Sequence, residues 1–335
     1  MKVTVLMADQ CAASSVSAPL EFLECANAIH MYAQQHESDD ITPKPLFECQ
    51  TASMDGEAVT TTSGLRLIPH KAMNEVEDCE LIIIPGFMFN VLPVLPNLGP
   101  MIEWIQQQHK KGCYIASMCT GAFVSAQAGL LDGKHATTHW VFSAQFQKRF
   151  PLTKLHTERT VTEDGLVMCS GGSTSGSDLL LHIIRKFGSP QLAAECAKKL
   201  LVDTQARSQT PYSSTTFKKN HTDAEVLKIQ IWLERNLKKN IQLEQVVDEF
   251  GLSMRNFIRR FKEATEQTPI QYLQNLRIER AKHLLESSQM AFDQITLNVG
   301  YEDGNSFRRL FKEKVGVTPS VYRKRFESAK ELVIH

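Results

Sequence analysis

Hydrophobic spacing changes character along the chain. Up to about residue 200, short uninterrupted apolar runs alternate with stretches of helical spacing. Residues 3–7 form one such run, and Leu81-Ile82-Ile83-Ile84 another, stopped by Pro85-Gly86. A run without polar alternation suits a strand covered on both faces, as in a parallel sheet. Residues 112–117 read as a further strand, followed at once by a helix from about Thr120. Residues 19–30, with Leu20, Leu23, Ala26, Ala28 and Ile29, have helical spacing behind a proline start. Residues 178–187 and 191–202 read as closing helices. Strand–helix alternation predicts a doubly wound α/β domain. Between residues 203 and 222 the pattern lapses into Gln, Ser, Thr, Pro and Lys and reads as a linker; from Asp223 onward every period is helical.

The helical part contains its own near-copy. Phe257-x-Arg259-x-Phe261-Lys262-Glu263 recurs fifty residues later as Phe307-x-Arg309-x-Phe311-Lys312-Glu313, with Thr268-Pro269 echoed by Thr318-Pro319 and Tyr272 by Tyr322. Phe250-Gly251-Leu252 echoes Val299-Gly300-Tyr301 at an offset of forty-nine, so the extra residue falls in a turn. Each copy reads helix, glycine-containing turn, helix. Leu243, Val246, Val247 and Phe250 line the first helix, Gly251 can supply a left-handed turn, and Ser253 is a good N-cap. Phe257 and Phe261 share the inner face, which leaves Arg255, Asn256, Arg259 and Arg260 mostly outward. In the second copy Ile295 and Val299 face inward, Glu302 or Asp303 caps, Phe307 and Phe311 point in, and Asn305, Arg308 and Arg309 point out. An intervening helix with Tyr272, Leu273, Leu276, Ala281, Leu284 and Leu285 sets the separation. The second helix of a helix-turn-helix enters the DNA major groove, where Arg can pair bidentately with guanine and Asn with adenine. One such helix alone reads more readily as a solvated face; two with matched caps, cores and arginines point to double-stranded DNA.

At 335 residues, with roughly 100–200 per domain, two or three domains are expected. The 42% apolar and 22% charged composition supports a full core. Net charge is zero, but residues 218–335 carry 21 basic against 16 acidic groups, so a polyanion partner suits that third alone. No run approaches the ~18 apolar residues of a membrane span, and the amino-terminal run meets Asp9 too soon for a signal peptide. Eight scattered cysteines without a C-x-x-C pair read as reduced cytoplasmic thiols, and no metal or cofactor is expected.

Residues 224–326 resemble the AraC-type DNA-binding domain, including Gly300-Tyr301-x5-Phe307-x3-Phe311-Lys312-x3-Gly316-x-Thr318-Pro319-x2-Tyr322-Arg323. The resemblance implies two helix-turn-helix units in one all-α domain. It carries base contact onto Arg255, Arg259, Asn305, Arg308 and Arg309, with Ser253, Asn256 and Arg260 as phosphate or base contacts. Thr296 departs from the family's small apolar residue, but its hydroxyl can bond back to its own helix. Gly304 leaves one contact position without a side chain.

In the first part, Tyr114-Ile115-Ala116-Ser117-Met118-Cys119-Thr120-Gly121-Ala122 is a strand, a nucleophile and a helix start in succession. Ser117 and Gly121 flank Cys119 with the spacing of a nucleophile elbow, and a thiol at a helix N-terminus is expected to have a lowered pKa. His139, in Thr138-His139-Trp140, is a candidate partner; taken alone, the same residues read more readily as a buried inert thiol and a core histidine. With Ile84-Pro85-Gly86, Ala128-Gly129-Leu130-Leu131-Asp132-Gly133 and Thr138-His139-Trp140, residues 1–200 resemble the PfpI-type class I amidotransferase fold, a flavodoxin-like sheet. Its fusion to an AraC-type reader is the arrangement of GlxA-family transcriptional regulators.

Active members of that fold place a glutamate four residues before the proline of the first helix; here the position is Ser15, and Glu21 follows Pro19 by two. A serine cannot orient or protonate a Cys–His pair as a carboxylate does. The resemblance therefore implies a non-catalytic sensing and dimerisation domain over 1–203, a linker over 204–222 and a DNA-binding domain over 223–335. It implies a pocket bounded by Glu21, Gly86, Phe87, Cys119, Thr120 and His139, with Phe87, Phe89 and Trp140 read either as a cation-binding surface or as core. The implied partners are DNA, a small nitrogenous metabolite, RNA polymerase and a second copy of the chain, and the family mostly activates. A Cys119-dependent hydrolase or amidase with a helical DNA-binding module is the alternative, and a Cys119 oxidation sensor a third reading.

Overall fold

The uninterrupted run Leu81–Ile84 is a strand with every residue out of solvent, as side chains pointing alternately to two covered faces require. A computed structural model describes residues 1–37, 42–172, 174–204, 208–215 and 217–327, and the chain divides into two units, Met1–Gln209 and Thr210–His335.

Seven strands make the sheet of the first unit: β1 (Lys2–Leu6), β2 (Glu48–Ser53), β3 (Lys71–Ala72), β4 (Leu81–Ile84), β5 (Tyr114–Ser117), β6 (Val161–Asp164) and β7 (Val167–Ser170). Their order is β6-β7-β5-β4-β1-β2-β3, parallel throughout except for the β6–β7 hairpin. This is the expected doubly wound, flavodoxin-like arrangement. Its central strands β1, β4, β5 and β7 end side by side at residues 6, 84, 117 and 170, and in such sheets ligands bind beyond the carboxyl ends. The helices are α1 (Ser14–Glu37), α2 (Gly99–Lys110), α3 (Ala122–Gln127), α4 (Ser143–Arg149), α5 (Ser175–Phe187) and α6 (Pro190–Lys199); α1, α5 and α6 pack on one another.

Two boundaries differ from the sequence reading. The first helix starts at Ser14, not at Pro19, which lies inside it. A proline one turn in removes a single ladder bond, and burial of Val16, Leu23 and Ala26 outweighs that loss. After β5 the chain makes a 3₁₀ turn, Cys119–Gly121, before α3 begins.

The second unit comprises α7 (Ala224–Asn236), α8 (Leu243–Glu249), α9 (Met254–Thr265), α10 (Pro269–Ser287), α11 (Phe292–Asn298), α12 (Gly304–Val315) and α13 (Pro319–Phe326). The internal repeat becomes two cores. Val226, Ile229, Leu233, Val246, Phe257 and Phe261 pack with Tyr272 and Leu276, whereas Ile295, Val299, Phe307, Phe311 and Tyr322 pack with Ala281 and Leu285. Helix α10 thus gives its first half to one core and its second half to the other. Thr296 bonds back to the Phe292 carbonyl at 3.0 Å, which absorbs its hydroxyl.

The stretch expected as a linker is largely tied down. The Ser208 hydroxyl donates to the Glu158 carbonyl, and Gln209 is buried in the first unit. In the second unit, Thr215 N–H donates to Glu279, and Phe217 packs edge-on against Tyr272. Side-chain bonding of Ser208 and Gln209 and the backbone bond of Thr215 replace the apolar periodicity that a packed segment usually shows. Residues 205–207 and 328–335, part of the expected linker and DNA-binding domain, lie outside the described residues. Among the described residues no helix is long and apolar enough to cross a membrane.

Gly121 tests how tightly the start of α3 is held. A Cβ there would lie 2.6 Å from the Pro85 carbonyl oxygen and 2.9 Å from that of Ile84. Gly121→Ala is expected to destabilise the first unit by about 1–3 kcal/mol, the usual cost of overpacking, read by thermal denaturation. An unchanged melting temperature would mean that β4 and the turn are not locked together.

Candidate effector pocket and nucleic-acid interface

Three segments converge beyond the strand ends. The turn after β5 carries Cys119 at φ 54°, a left-handed conformation that a non-glycine residue adopts only when its surroundings impose it. Those surroundings are visible: Cys119 N–H points at Ser170 Oγ (3.3 Å), the Cys119 carbonyl accepts from Thr138 Oγ1 (3.0 Å), and Phe87 N–H donates to Thr120 Oγ1 (2.8 Å). Gly86 approaches so closely that a Cβ would sit 3.2 Å from Cys119 Cβ. Beside this turn lies a cavity of about 280 Å³, walled by Ser14, Ser15 and Ala18 of α1, by Gly86 and Met88, by Met118 and Cys119, and by Ser170 and the start of α5.

Ser15 occupies the wall where the sequence comparison looks for a carboxylate. Its hydroxyl donates to the Ala12 carbonyl (2.7 Å) and accepts from Gly86 N–H (3.0 Å), so it braces the two sides of the pocket. Among the described lining residues Cys119 alone is ionisable below pH 12. Burial pushes its thiol up to about 11, which corrects the expectation of a lowered pKa. The cause is that Cys119 is 7% exposed and sits within the 3₁₀ turn, so loss of water outweighs the short helix behind it.

The sequence-derived pocket set is thereby sorted. Gly86 and Cys119 line the cavity. Thr120 is buried behind it as an acceptor. Glu21 does not line it: the side chain is exposed further along α1, because two residues past Pro19 is the outer face. Phe87 is fully buried core, and Phe89 is exposed, leaning on Phe142. His139 is also off the wall; its Nδ1 accepts from Val141 N–H (3.2 Å), its ring faces Gly172, and burial lowers its pKa. The lining residues Ser14, Ser170, Thr174, Gly176 and Ser177 carried no sequence signal beyond smallness, and Met118 was part of the cysteine-turn motif without being singled out as a wall.

Gln209, read as linker, is a second surprise. Its amide is saturated: Nε2 donates to Thr137 Oγ1 and to the carbonyls of Thr138 and Arg159 at 3.0–3.2 Å, and Oε1 accepts from Gly172 N–H (3.1 Å) and Trp140 N–H (3.3 Å). A Cβ on Gly171 would overlap it at 2.3 Å. The slot therefore joins the His139 loop and the Gly171-Gly172 turn, next to the pocket residues Ser170 and Thr174.

In the second unit the two outward helix faces are built alike. Ser253 caps α9 by accepting from Asn256 N–H (3.4 Å), and Asp303, not Glu302, caps α12 by accepting from Asn305 and Ser306 N–H (3.0 Å each). Phe257, Phe261, Phe307 and Phe311 are fully buried, and this turns Arg255, Asn256 and Arg259 on α9 and Asn305, Arg308 and Arg309 on α12 to solvent. Arg259 rests on Glu263 (2.8 Å), and Arg308 lies 5.0 Å from the Phe292 ring centroid. Arg260 differs: its guanidinium is forked onto Asp223 at 2.7 and 2.9 Å and half-buried, which removes it from the free donors.

Comparison with known proteins places these observations. Residues 1–186 match the DJ-1/PfpI family, and residues 246–325 match a helix-turn-helix domain. Similar chains include the HTH-type transcriptional regulator ArgR of Pseudomonas aeruginosa, 26% identical over 83% of this chain and 82% of its own. CdhR of the same organism is 24% identical over 82% and 81%, and GlxA of Rhizobium meliloti 24% identical over 84% and 86%; both are HTH-type transcriptional regulators. A solved structure from Vibrio parahaemolyticus, 24% identical, superposes with a TM-score of 0.52 over 61% of this chain and 99% of that one, and it shows the same fold for the first unit.

The Arg260–Asp223 pair makes a distinguishable prediction. The Arg260 guanidinium holds the Asp223 carboxyl below its usual range. Stability from that carboxylate is present above about pH 4, its ordinary titration range, and is lost as pH falls through the lower folded value. Asp223→Asn is expected to flatten this acid limb in melts from neutral to acid pH, and Arg260→Ala to lower the melting temperature without altering base preference. A changed base preference in Arg260→Ala would return that residue to the DNA face.

Proposed function

The chain belongs to the DJ-1/PfpI family, with a helix-turn-helix domain of the AraC type behind that fold, and from this premise we propose that it is a sequence-specific DNA-binding transcriptional regulator. Its first unit binds a small metabolite without turning it over, and its second unit reads DNA. The observation that carries the non-catalytic reading is Ser15: the pocket keeps the cysteine turn but has a hydroxyl already bonded to Ala12 and Gly86 where chemistry would need a carboxylate. His139 is turned to Gly172 and the buried Cys119 thiol is held protonated at neutral pH, so neither partner of a nucleophilic pair is poised. The uncharged hydroxyl wall, with the N-terminal ends of α1 and α5 in it, suits the carboxylate of a small nitrogenous metabolite.

The DNA contacts are proposed residue by residue. Arg255, Asn256 and Arg259 of α9, with Ser253 at its cap, read one major-groove face, and Asn305, Arg308 and Arg309 of α12 the next. The coupling is proposed to run through the Gln209 slot, since a ligand that shifts Ser170 or Thr174 shifts the Gly172 amide that Gln209 holds. A homodimer presenting two readers to adjacent half-sites, acting with RNA polymerase in the cytoplasm, completes the proposal; the relatives' names as transcriptional regulators support its DNA-reading part.

Arg259→Ala and Arg309→Ala are each expected to cost about 1–3 kcal/mol at the specific operator and to relax base preference there. Binding is also expected to weaken steeply with salt, because phosphates supply much of it. Wild-type binding by both variants would displace the recognition helices. For the pocket, a thermal-shift screen of amino acids, polyamines and quaternary amines is decisive. A ligand at 100 times its Kd adds about 2.7 kcal/mol. A hit recovered unchanged marks a sensor, and Gln209→Ala is expected to keep that shift but lose ligand-dependent promoter output. A hit that is consumed, with consumption lost in Cys119→Ala, would establish the hydrolase reading instead.

A further inference from the structure

The two strands that deliver Gly86 and Cys119 to the pocket carry cysteines at their other ends. Cys79 lies two residues before β4 and Cys113 one residue before β5, and the parallel register that pairs Leu81 with Tyr114 brings them together. Their sulfurs are 3.7 Å apart, with the Cys113 thiol placed to donate to Cys79. Cys113 is buried and Cys79 half-buried beside a surface cavity of about 310 Å³, whose other walls are Met1, Glu80, Lys111, Gly112, Tyr114 and Phe187. All eight cysteines are free thiols; Cys196 also has Cys25 as a hydrogen-bonding neighbour, and Cys79 and Cys113 are the pair that walls a surface cavity.

We propose that Cys79 and Cys113 form a redox-active dithiol that a hydroperoxide converts into a reversible intrachain disulfide. The Cys79 thiolate attacks one peroxide oxygen, the O–O bond breaks, and the departing oxygen takes a proton to leave as water or an alcohol. Cys79 is now a sulfenic acid. The Cys113 sulfur attacks Cys79, the S–O bond breaks, and hydroxide leaves as water with the proton that Cys113 gives up. Two thiols have lost two protons and two electrons, and the peroxide has been reduced by the same two electrons. Closing the gap to the ~2.05 Å of a disulfide needs less than 2 Å of sulfur movement, within reach of side-chain rotation.

The division of roles follows from the geometry. The hydrogen bond from Cys113 stabilises the Cys79 thiolate and draws its pKa down to about 7, whereas Cys113, as donor and beside that charge, is held protonated. Cys79 is therefore the attacking thiol and Cys113 the resolving one. Cys119, more buried and pushed up to about 11, is a poor competitor, so the site is separate from the effector pocket.

The test is disulfide mapping of the full-length chain. Protein treated with hydrogen peroxide is alkylated and digested without reductant. The expected result is a cross-linked peptide pair containing Cys79 and Cys113, loss of alkylation at both, and restoration of both by dithiothreitol. The same cross-link is expected in Cys119→Ser, and Cys113→Ser is expected to stop at a dimedone-trappable sulfenic acid on Cys79. Full alkylation of Cys79 and Cys113 after peroxide, or a cross-link joining Cys79 to any other cysteine, would overturn the proposal. The wild-type map decides alone should Cys113→Ser not fold.

Discussion

A buried cation fixes how the two halves of the second unit face one another. Arg277 sits midway along α10, 7% exposed, and burial lowers its pKa. Its Nε and Nη2 donate to the carbonyls of Leu237 and Lys239 (3.1 and 2.7 Å), and its guanidinium lies 4.9 Å from the Tyr301 ring centroid. Burying an ion costs several kcal/mol. Hydrogen bonds to a charged group return about 1.5–3 kcal/mol each, and a desolvated cation–π contact about 2 kcal/mol. These terms roughly cancel, so Arg277 acts by position more than by net stability. It ties the loop that closes the first reader to the turn of the second. It also explains the glycine of the Gly300-Tyr301 pair: a Cβ there would lie 2.5 Å from the Leu237 carbonyl oxygen and 2.8 Å from Arg277 Nη2. With α10 shared between two cores, α9 and α12 are packed onto one common helix.

In the first unit the governing constraint is crowding at the strand ends. Two opposed effects act on the Cys119 thiol, and their magnitudes decide the outcome. A helix N-terminus stabilises a nearby anion by about 0.3–1 kcal/mol, up to about 2 in favourable geometry, roughly one pKa unit. Full burial shifts a group by up to ~3–5 units in the other direction. Here Thr120 is the cysteine's nearby hydrogen-bonding help, and burial wins. The same backbone turn that would serve a nucleophile in a family enzyme thus packs the thiol away in the wall of the cavity.

How much of this was legible in the sequence depended on whether a residue's role was periodic. The repeat with its paired phenylalanines, the run Leu81–Ile84 and the caps Ser253 and Asp303 follow from spacing and local chemistry, and they appear where spacing puts them. Pro19 misled because a proline normally opens a helix, whereas α1 tolerates it one turn in. Glu21 misled because closeness in sequence to the pocket says nothing of which helix face it takes. Gln209 and the Arg260–Asp223 pair were invisible for a shared reason: each is a polar side chain satisfied by partners from 37 to 72 residues away, and no local pattern encodes such a partner. A polar stretch without periodicity can be a linker or a saturated hydrogen-bond plug, and only the folded chain distinguishes them.

Neighbouring arginines on α9 contrast in how firmly they are held, and under the proposed function that contrast separates reading from holding. Arg259 and Arg260 are adjacent, so their side chains leave the helix about 100° apart. Arg259 keeps a partner on its own helix face, Glu263, in an exposed pair, and such pairs contribute about 0–1 kcal/mol. Exchanging that carboxylate for a guanine edge is therefore cheap beside the 1–3 kcal/mol that a good bidentate base contact returns, by the usual estimate of about that size. Arg260 has rotated back toward the start of α7, where its fork closes on a residue that also caps that helix through Val226 N–H. Releasing it would unpair a half-buried carboxylate and loosen the cap at once. Arg308 follows the first pattern, pre-oriented by Asn305 and the Phe292 ring. The donors proposed to read DNA are those whose present partners are weak, and the one whose partner is strong serves the fold.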